Sequence, residues 1–144
     1  MWPFLLQKYC NYQVITNRGY KMKFSESLKK NADFQKVYRR GKSYANKYLV
    51  MYLTENREEK NRIGISVSKK VGNSVVRHRI TRLIRESYRL QEENFKSGYN
   101  IVIIARAASK DKPYRDIWRS FIRYMKNIKV RWRWIDETCT DCHD

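Results

Sequence analysis

The segment from Lys69 to Arg89 constrains this chain more than any other. It holds Lys69, Lys70, Arg77, Arg79, Arg82, Arg85 and Arg89 against a single acid, Glu86. On a helix turning roughly 100° per residue, with Arg77 at zero, Thr81, Arg85, His78, Arg89 and Arg82 fall between roughly 40° and 140°, and Arg79 at about 200°. Val76, Leu83, Ile80, Ile84 and Leu90 fall between roughly 220° and 340°. A helix divided in this way lays its apolar side on a sheet and leaves the other side as a field of arginine. Such a field repels itself, which lowers stability unless an anion offsets it. Arginine in place of lysine suits two-pronged phosphate contacts and stacking.

The turn before this helix, Lys69-Lys70-Val71-Gly72-Asn73, adds charge. Gly72 lets the backbone approach a phosphate, and the helix N-terminus that follows favours an anion. The whole chain shares the bias, with 32 Lys+Arg against 14 Asp+Glu in 144 residues and a net charge of +18. That balance implies a polyanionic partner, nucleic acid or less often an anionic membrane, and excludes an ordinary enzyme of small metabolites. No stretch approaches the roughly 18 apolar residues of a transmembrane helix. The N-terminal MWPFLLQKYCNYQ has no basic residue ahead of its apolar run, which is shorter than the ~7–15 residues of a secretory signal. The expectation is a cytoplasmic protein with no membrane partner. Cys10, Cys139 and Cys142 lie near the ends, so no disulfide framework staples the core.

Residues 1–21 show no helical or strand period and are expected to be an extension, or an upstream start, outside the functional unit. The domain is expected over 22–130, with a tail at 131–144. The segment from Asn31 is helical, with Phe34, Val37 and Tyr38 on one side, Asn31 as its cap and Gly41 in the left-handed position after it. A short strand is possible around Lys42–Asn46. Tyr48–Leu53 reads as a strand, and Arg62–Ser68 alternates Ile63, Ile65 and Val67 with Gly64, Ser66 and Ser68. A strand face reduced to Gly and Ser leaves room for a ligand or for a closely packed helix. The second helix spans Ser74 to about Leu90. Asn100–Arg106 is a nearly all-apolar strand, expected to be buried on both faces. Pro113 opens a third helix whose apolar stripe is Tyr114, Ile117, Trp118, Phe121, Ile122 and Met125.

With these elements in place, KKVGNSVVRHRITRLIRES resembles the arginine-rich signature of the bacterial ribonuclease P protein component family, approximately K-x-x-G-x-A-V-x-R-N-R-x-x-R-x-x-R. Lys69, Gly72, Val75, Arg77, Arg79, Arg82 and Arg85 match it. Ser74 replaces the usual Ala, His78 the usual Asn, and Thr81 a frequent Lys or Arg. The flanks LKKNADFQKVYRRGKSYANKYLVMY, RIGISVSKK and YNIVIIAR agree, so the resemblance covers about Lys23 to Lys129. It implies an α+β fold, a small α/β sandwich on a central mixed sheet. The implied order is α-β-β-β-α-β-α with a left-handed βαβ crossover, similar to the second domain of a small-subunit ribosomal protein. It also implies a function. A separate RNA subunit, holding most of the Mg²⁺, removes the 5′ leader of precursor tRNA, and the protein assists. The RNA subunit would meet Lys69, Lys70, Gly72, Asn73, Arg77, His78, Arg79, Arg82, Arg85 and Arg89. The single-stranded leader would lie against Phe34, Tyr38, Tyr52 and Ser66. Flat side chains beside basic ones hold single-stranded RNA with little sequence preference, although core packing also explains each aromatic. His78 lacks the carboxamide of Asn but can bond a phosphate or stack on a base.

Other constellations are weaker. Cys139-Thr140-Asp141-Cys142-His143 has the form of a haem attachment site, but it sits too near the end for a following segment to enclose a haem. No haem partner is expected; adventitious Zn²⁺ or a plain tail remain. A metal nuclease needs clustered carboxylates, and here the acids are scattered. No side chain of the chain itself is expected to make or break bonds. The rival classes are a structural RNA-binding protein and a DNA-binding factor. The first would lack a distinct aromatic cleft for a second RNA. The second would want a recognition helix free on several sides.

Overall fold

β-Branched and aromatic residues define the sheet, and three helices cover it, one on one side and two on the other. The structure, a computed structural model, describes Met22 and residues 25–127. Five strands, β1 (Ser25–Ser27), β2 (Lys42–Ala45), β3 (Leu49–Glu55), β4 (Asn61–Val67) and β5 (Tyr99–Ala105), form one sheet in the order β1-β4-β5-β3-β2. The helices are α1 (Asn31–Arg40), α2 (Ser74–Gln91) and α3 (Tyr114–Asn127). β4 runs parallel to β5 and to β1, while β3 is antiparallel to both β5 and β2. The neighbouring parallel strands β4 and β5 need a crossover, and α2 supplies it.

Strand alternation divides the core in two. Leu49, Met51, Ile63, Ile101, Ile103 and Ala105 pack against Ile80, Ile84 and Tyr88 of α2 and Ile117 and Phe121 of α3. On the other face Val102 and Leu28 pack with Val37 of α1, joined by half-buried Phe34, Tyr38, Tyr52 and Ile104. Burying a side chain such as Phe121 or Ile84 contributes about 1.5–3 kcal/mol before entropy is counted.

The structure corrects several expectations. The strand β1, from Ser25 to Ser27, was not anticipated. It is polar and short, and it forms because β4 offers it a parallel partner. Lys30, not Asn31, caps α1, and no side chain bonds the cap. Gly41 is extended (φ −75°, ψ 147°), not left-handed. Its glycine is needed for space: a β-carbon there would collide with the Val37 carbonyl oxygen and approach Thr54 Oγ1 to 2.9 Å. Pro113 stands just before α3, where its carbonyl accepts from the amides of Asp116 (3.1 Å) and Ile117 (3.4 Å). Ile104 of β5 is half-buried, so that strand is closed on both faces only over Ile101–Ile103. The apolar side of α2 extends past its aliphatic residues to Tyr88, which is fully buried. The Met125 side chain and the extensions at 1–21 and 131–144, with Cys10, Cys139, Cys142 and His143, lie outside the described residues.

Candidate nucleic-acid interface

α2 begins where Asn73 caps it. The Asn73 side-chain oxygen accepts the Val76 amide at 3.0 Å, satisfying one of the donors that a helix start leaves open. Asn73 thus acts first on its own helix. Gly72 is extended, and a β-carbon on it would lie 3.0 Å from Val76 Cγ1. Packing against Val76 therefore accounts for this glycine alongside any approach of a phosphate. Lys69 and Lys70 sit exposed on a short 3-10 turn whose Val71 is buried as the anchor.

Beyond the cap, His78, Arg79, Arg82 and Arg85 are exposed and form no ion pair among the described residues. Arg77 is half-buried, and its Nε is enclosed without a hydrogen-bond partner. The Thr81 hydroxyl donates to the Arg77 carbonyl at 2.9 Å, so Thr81 serves the helix backbone. Arg89 differs from the other arginines: its guanidinium pairs with Glu86, with Nε 3.0 and 3.1 Å from the two carboxylate oxygens. Val75 is a further member of this surface that sequence reasoning left unassigned. It is 75% exposed, the one large hydrophobic so open among the described residues. Its position one turn before His78 and Arg79 was visible on the helical wheel.

The four residues expected to meet the leader share the opposite face of the sheet. Tyr38 stands edge-on to Tyr52, with ring centroids 5.1 Å apart, and 6.4 Å from Phe34. The Tyr38 hydroxyl bonds Ser66. Burial raises the Tyr38 pKa above the usual tyrosine value, against the Ser66 bond, so the Tyr38 ring stays uncharged through the physiological range. Ile104, in register with Ser66, adds an apolar floor that sequence reasoning read as core. The choice left open at the glycine-serine face resolves along the strand. At Gly64 the helix wins, because Phe34 and Leu28 cover it. At Ser66 the face is half-buried, and at Ser68 it is exposed.

Charge is separated along the sheet. Glu55, Glu58 and Glu59 lie at the β3–β4 end, which Tyr99 joins by pairing with Glu55. Two of the cations there are partnered: Lys60 with Glu26 at 3.2 Å and Arg62 with Glu58 at 2.9 Å. Among the described residues no group of three or more His, Cys, Asp or Glu could hold a metal ion. No helix among them is long and apolar enough to cross a membrane.

An arginine face whose Arg79, Arg82 and Arg85 have no ion pair among the described residues, with an aromatic strip on the other side of a mixed sheet, defines a small basic RNA-binding protein of the α+β class. The comparisons with known proteins are specific. The family model described as Ribonuclease P matches residues 22–129. The ribonuclease P protein component of Lachnoclostridium phytofermentans is 59% identical over 106 residues, covering 74% of this chain and 91% of that protein. That of Clostridioides difficile is 50% identical over 107 residues, 74% of this chain and 94% of the relative. The solved RNase P protein of Staphylococcus aureus is similar with a TM-score of 0.68 and 41% identity, covering 72% of this chain and 95% of that one. The protein from Thermotoga maritima gives 0.66 and 27%, over 72% and 98%. The chain belongs to the ribonuclease P protein component family, and so to the protein part of an endoribonuclease that processes tRNA.

Proposed function

We propose that the chain holds the RNA subunit of ribonuclease P on the arginine face of α2 and the 5′ leader of precursor tRNA on the strip beside α1. The RNA subunit cuts the leader and leaves the mature 5′ end. The observation that carries this reading is that the two surfaces occupy opposite faces of one sheet. Two RNA segments can then be held at once, with their spacing set by a rigid layer. Leu28, Val37 and Val102 fix α1, while Ile80, Ile84 and Tyr88 fix α2, so neither surface depends on a loose loop.

The chain's own part is binding and orientation. Arg77, Arg82 and Arg85, with Lys69, Lys70, Arg79 and His78, neutralise phosphates of the RNA subunit and displace its counterions. Tyr38, Tyr52 and Phe34 offer flat faces to unpaired bases, with Ser66 supplying a hydroxyl. Mg²⁺ would supply metal-assisted hydrolysis. The described acids form no three-ligand group, and the glutamates of the β3–β4 turn are at the far end from the start of α2. In this reading the RNA subunit holds most of the Mg²⁺. We place the work in the bacterial cytoplasm, where precursor tRNA is made, and in residues 22–130, a range supported by the span of the family model.

Reconstitution tests the reading. The purified chain with a bacterial ribonuclease P RNA at low Mg²⁺ should remove the leader faster than that RNA alone, and the chain alone should do nothing. Binding without stimulation would favour a structural RNA-binding protein instead.

A further inference from the structure

A second basic surface lies outside both of these sites, at the loop end of the sheet. Lys47 and Lys112 come from separate loops, yet their ammonium groups stand 5.8 and 5.9 Å from the centre of the same ring, Tyr48. Those distances lie within the reach of cation–π attraction. Arg106, at the end of β5, crosses to the β2–β3 turn, where its Nη1 donates to the Asn46 carbonyl at 2.8 Å. Asn46 organises the whole turn. Its side-chain oxygen accepts the amides of Tyr48 and Leu49, both at 2.9 Å, and its Nδ2 donates to the Ser120 carbonyl of α3 at 3.2 Å.

Three cations from two stretches of the chain distant in sequence are thus held in place, and none forms an ion pair among the described residues. Asp111, beside Lys112, is exposed and pairs with none of them. Holding like charges in fixed positions opposes folding by their mutual repulsion, and a bound polyanion reverses the sign of that contribution. At the other end of the sheet Lys60 and Arg62 are each matched to a glutamate.

We propose that Lys47, Arg106 and Lys112 form a phosphate clamp for the backbone of the ribonuclease P RNA subunit, with Asn46 and Tyr48 as its positioning residues. The proposal rests on the reading above that the chain binds that RNA. Three observations assign the clamp to the RNA subunit and not to the leader. Tyr48 packs with the core shared by α2 and α3, on the side of the sheet away from Phe34 and Tyr38. Arg79 of α2 reaches the Lys112 carbonyl at 3.5 Å. The turn bearing Lys69 and Lys70 packs on the turn Ala107–Ser109 between Arg106 and Lys112. The clamp therefore continues the α2 surface around the end of the sheet.

The test compares the full chain with two triple variants of equal charge. K47Q/R106Q/K112Q removes the clamp. K42Q/R57Q/K96Q removes three exposed cations from the other end of the sheet. Circular dichroism establishes that both are folded. Affinity for the RNA subunit alone is measured across a salt series. The clamp variant should lose about two to three units of the log–log salt slope, at ~0.7–0.9 per phosphate, and about tenfold in affinity at moderate salt. The control variant should lose clearly less. Equal losses in the two variants would reduce the clamp to general charge and overturn it. Unchanged RNA-subunit binding with a selective loss for leader-bearing precursor would overturn it too, by moving the site to the substrate. If the unsubstituted chain fails to bind the RNA subunit, the functional reading falls and the clamp with it. If only the clamp variant is unaffected, the functional reading stands and the clamp alone fails.

Discussion

Gly64 lies directly under the Phe34 ring: a β-carbon on Gly64 would stand 2.6 Å from both Cε1 and Cζ of Phe34. The contact ties α1 to β4 and sets where the aromatic strip begins. Gly64→Ala must displace the ring or lift the helix, and overpacking of that kind costs about 1–3 kcal/mol. Denaturant unfolding should show a lower midpoint for Gly64→Ala. In a double-mutant cycle with Phe34→Leu the two changes should be non-additive by at least about 0.5 kcal/mol. Additive effects would mean that the ring and the glycine do not share this space.

The aromatic residues should divide by role. Tyr52→Leu should weaken binding of leader-bearing precursor more than binding of mature tRNA, with little change in stability, because Tyr52 is only half-buried at the sheet surface. Stacking of a base on such a ring contributes about 1–3 kcal/mol. Phe34→Leu should lower both leader discrimination and stability, because Phe34 also roofs Gly64. Paired titrations of the two RNAs read this out, and an equal loss for both RNAs with Tyr52→Leu would return that ring to the core.

The arginines of α2 should not be equivalent. Arg82 and Arg85 are exposed and without an ion pair among the described residues, so Ala at either should flatten the salt dependence of RNA binding by ~0.7–0.9 units. Arg89 is already matched to Glu86, and to meet a phosphate it must give up or share that partner. Arg89→Ala should therefore change the slope less than Arg85→Ala. An equal or larger effect at Arg89 would show that the pair opens on RNA.

Asn73→Ala should act on folding. Loss of its bond to the Val76 amide removes an N-cap, at a cost of about 1 kcal/mol. Thermal unfolding should record the drop, while RNA affinity measured well below the transition stays near that of the unsubstituted chain. A large affinity loss without a stability change would make Asn73 a direct RNA contact.

Alkaline pH should expose Tyr88. Burial is the main cause that pushes its phenol to about 12, and its hydroxyl is 2.7 Å from Ser25 Oγ. In the unfolded chain the phenol ionises near 10, so the unfolded state sheds its proton first. Stability is thus fully retained below about pH 10 and declines between about 10 and 12, by roughly 2–3 kcal/mol in all. Tyr88→Phe should remove that share of the decline while costing some stability at neutral pH, through the unpaired Ser25 hydroxyl. An unaltered alkaline profile in the variant would mean that another group controls it.

Much of this architecture was legible because the decisive signals are periodic. Ile63, Ile65 and Val67 against Gly64 and Ser66 set β4 and both of its faces, and the arginine wheel of α2 predicted which side would stay in solvent. What escaped was set by partners distant in sequence. Ser25–Ser27 has no strand signal of its own and pairs because β4 presents an open edge. Tyr88 stands among the arginines on a wheel, yet it is buried, because Phe95 stacks on it at 4.8 Å and Ser25 satisfies its hydroxyl. Gly41 does end α1, but in extended backbone and not the left-handed one, and its glycine is a space requirement imposed by Thr54 and the Val37 carbonyl. The cations around Tyr48 come from segments 58 or more residues apart, Lys47–Tyr48 and Arg106–Lys112, which no local pattern could bring together.

The gathering of Glu55, Glu58 and Glu59 at one end of the sheet, and of cations without an ion pair at the other, also makes the described residues an electric dipole aligned with the strands. In the field of a polyanion such a body experiences a torque before it makes any contact. At physiological ionic strength the field decays over ~8 Å, so the rotation is confined to the last nanometre of approach. The chain would then reach the RNA already turned, with Lys69 and Arg106 leading and Glu55, Glu58 and Glu59 trailing. Orientations that put the glutamate turn against phosphate are rejected by repulsion before docking begins.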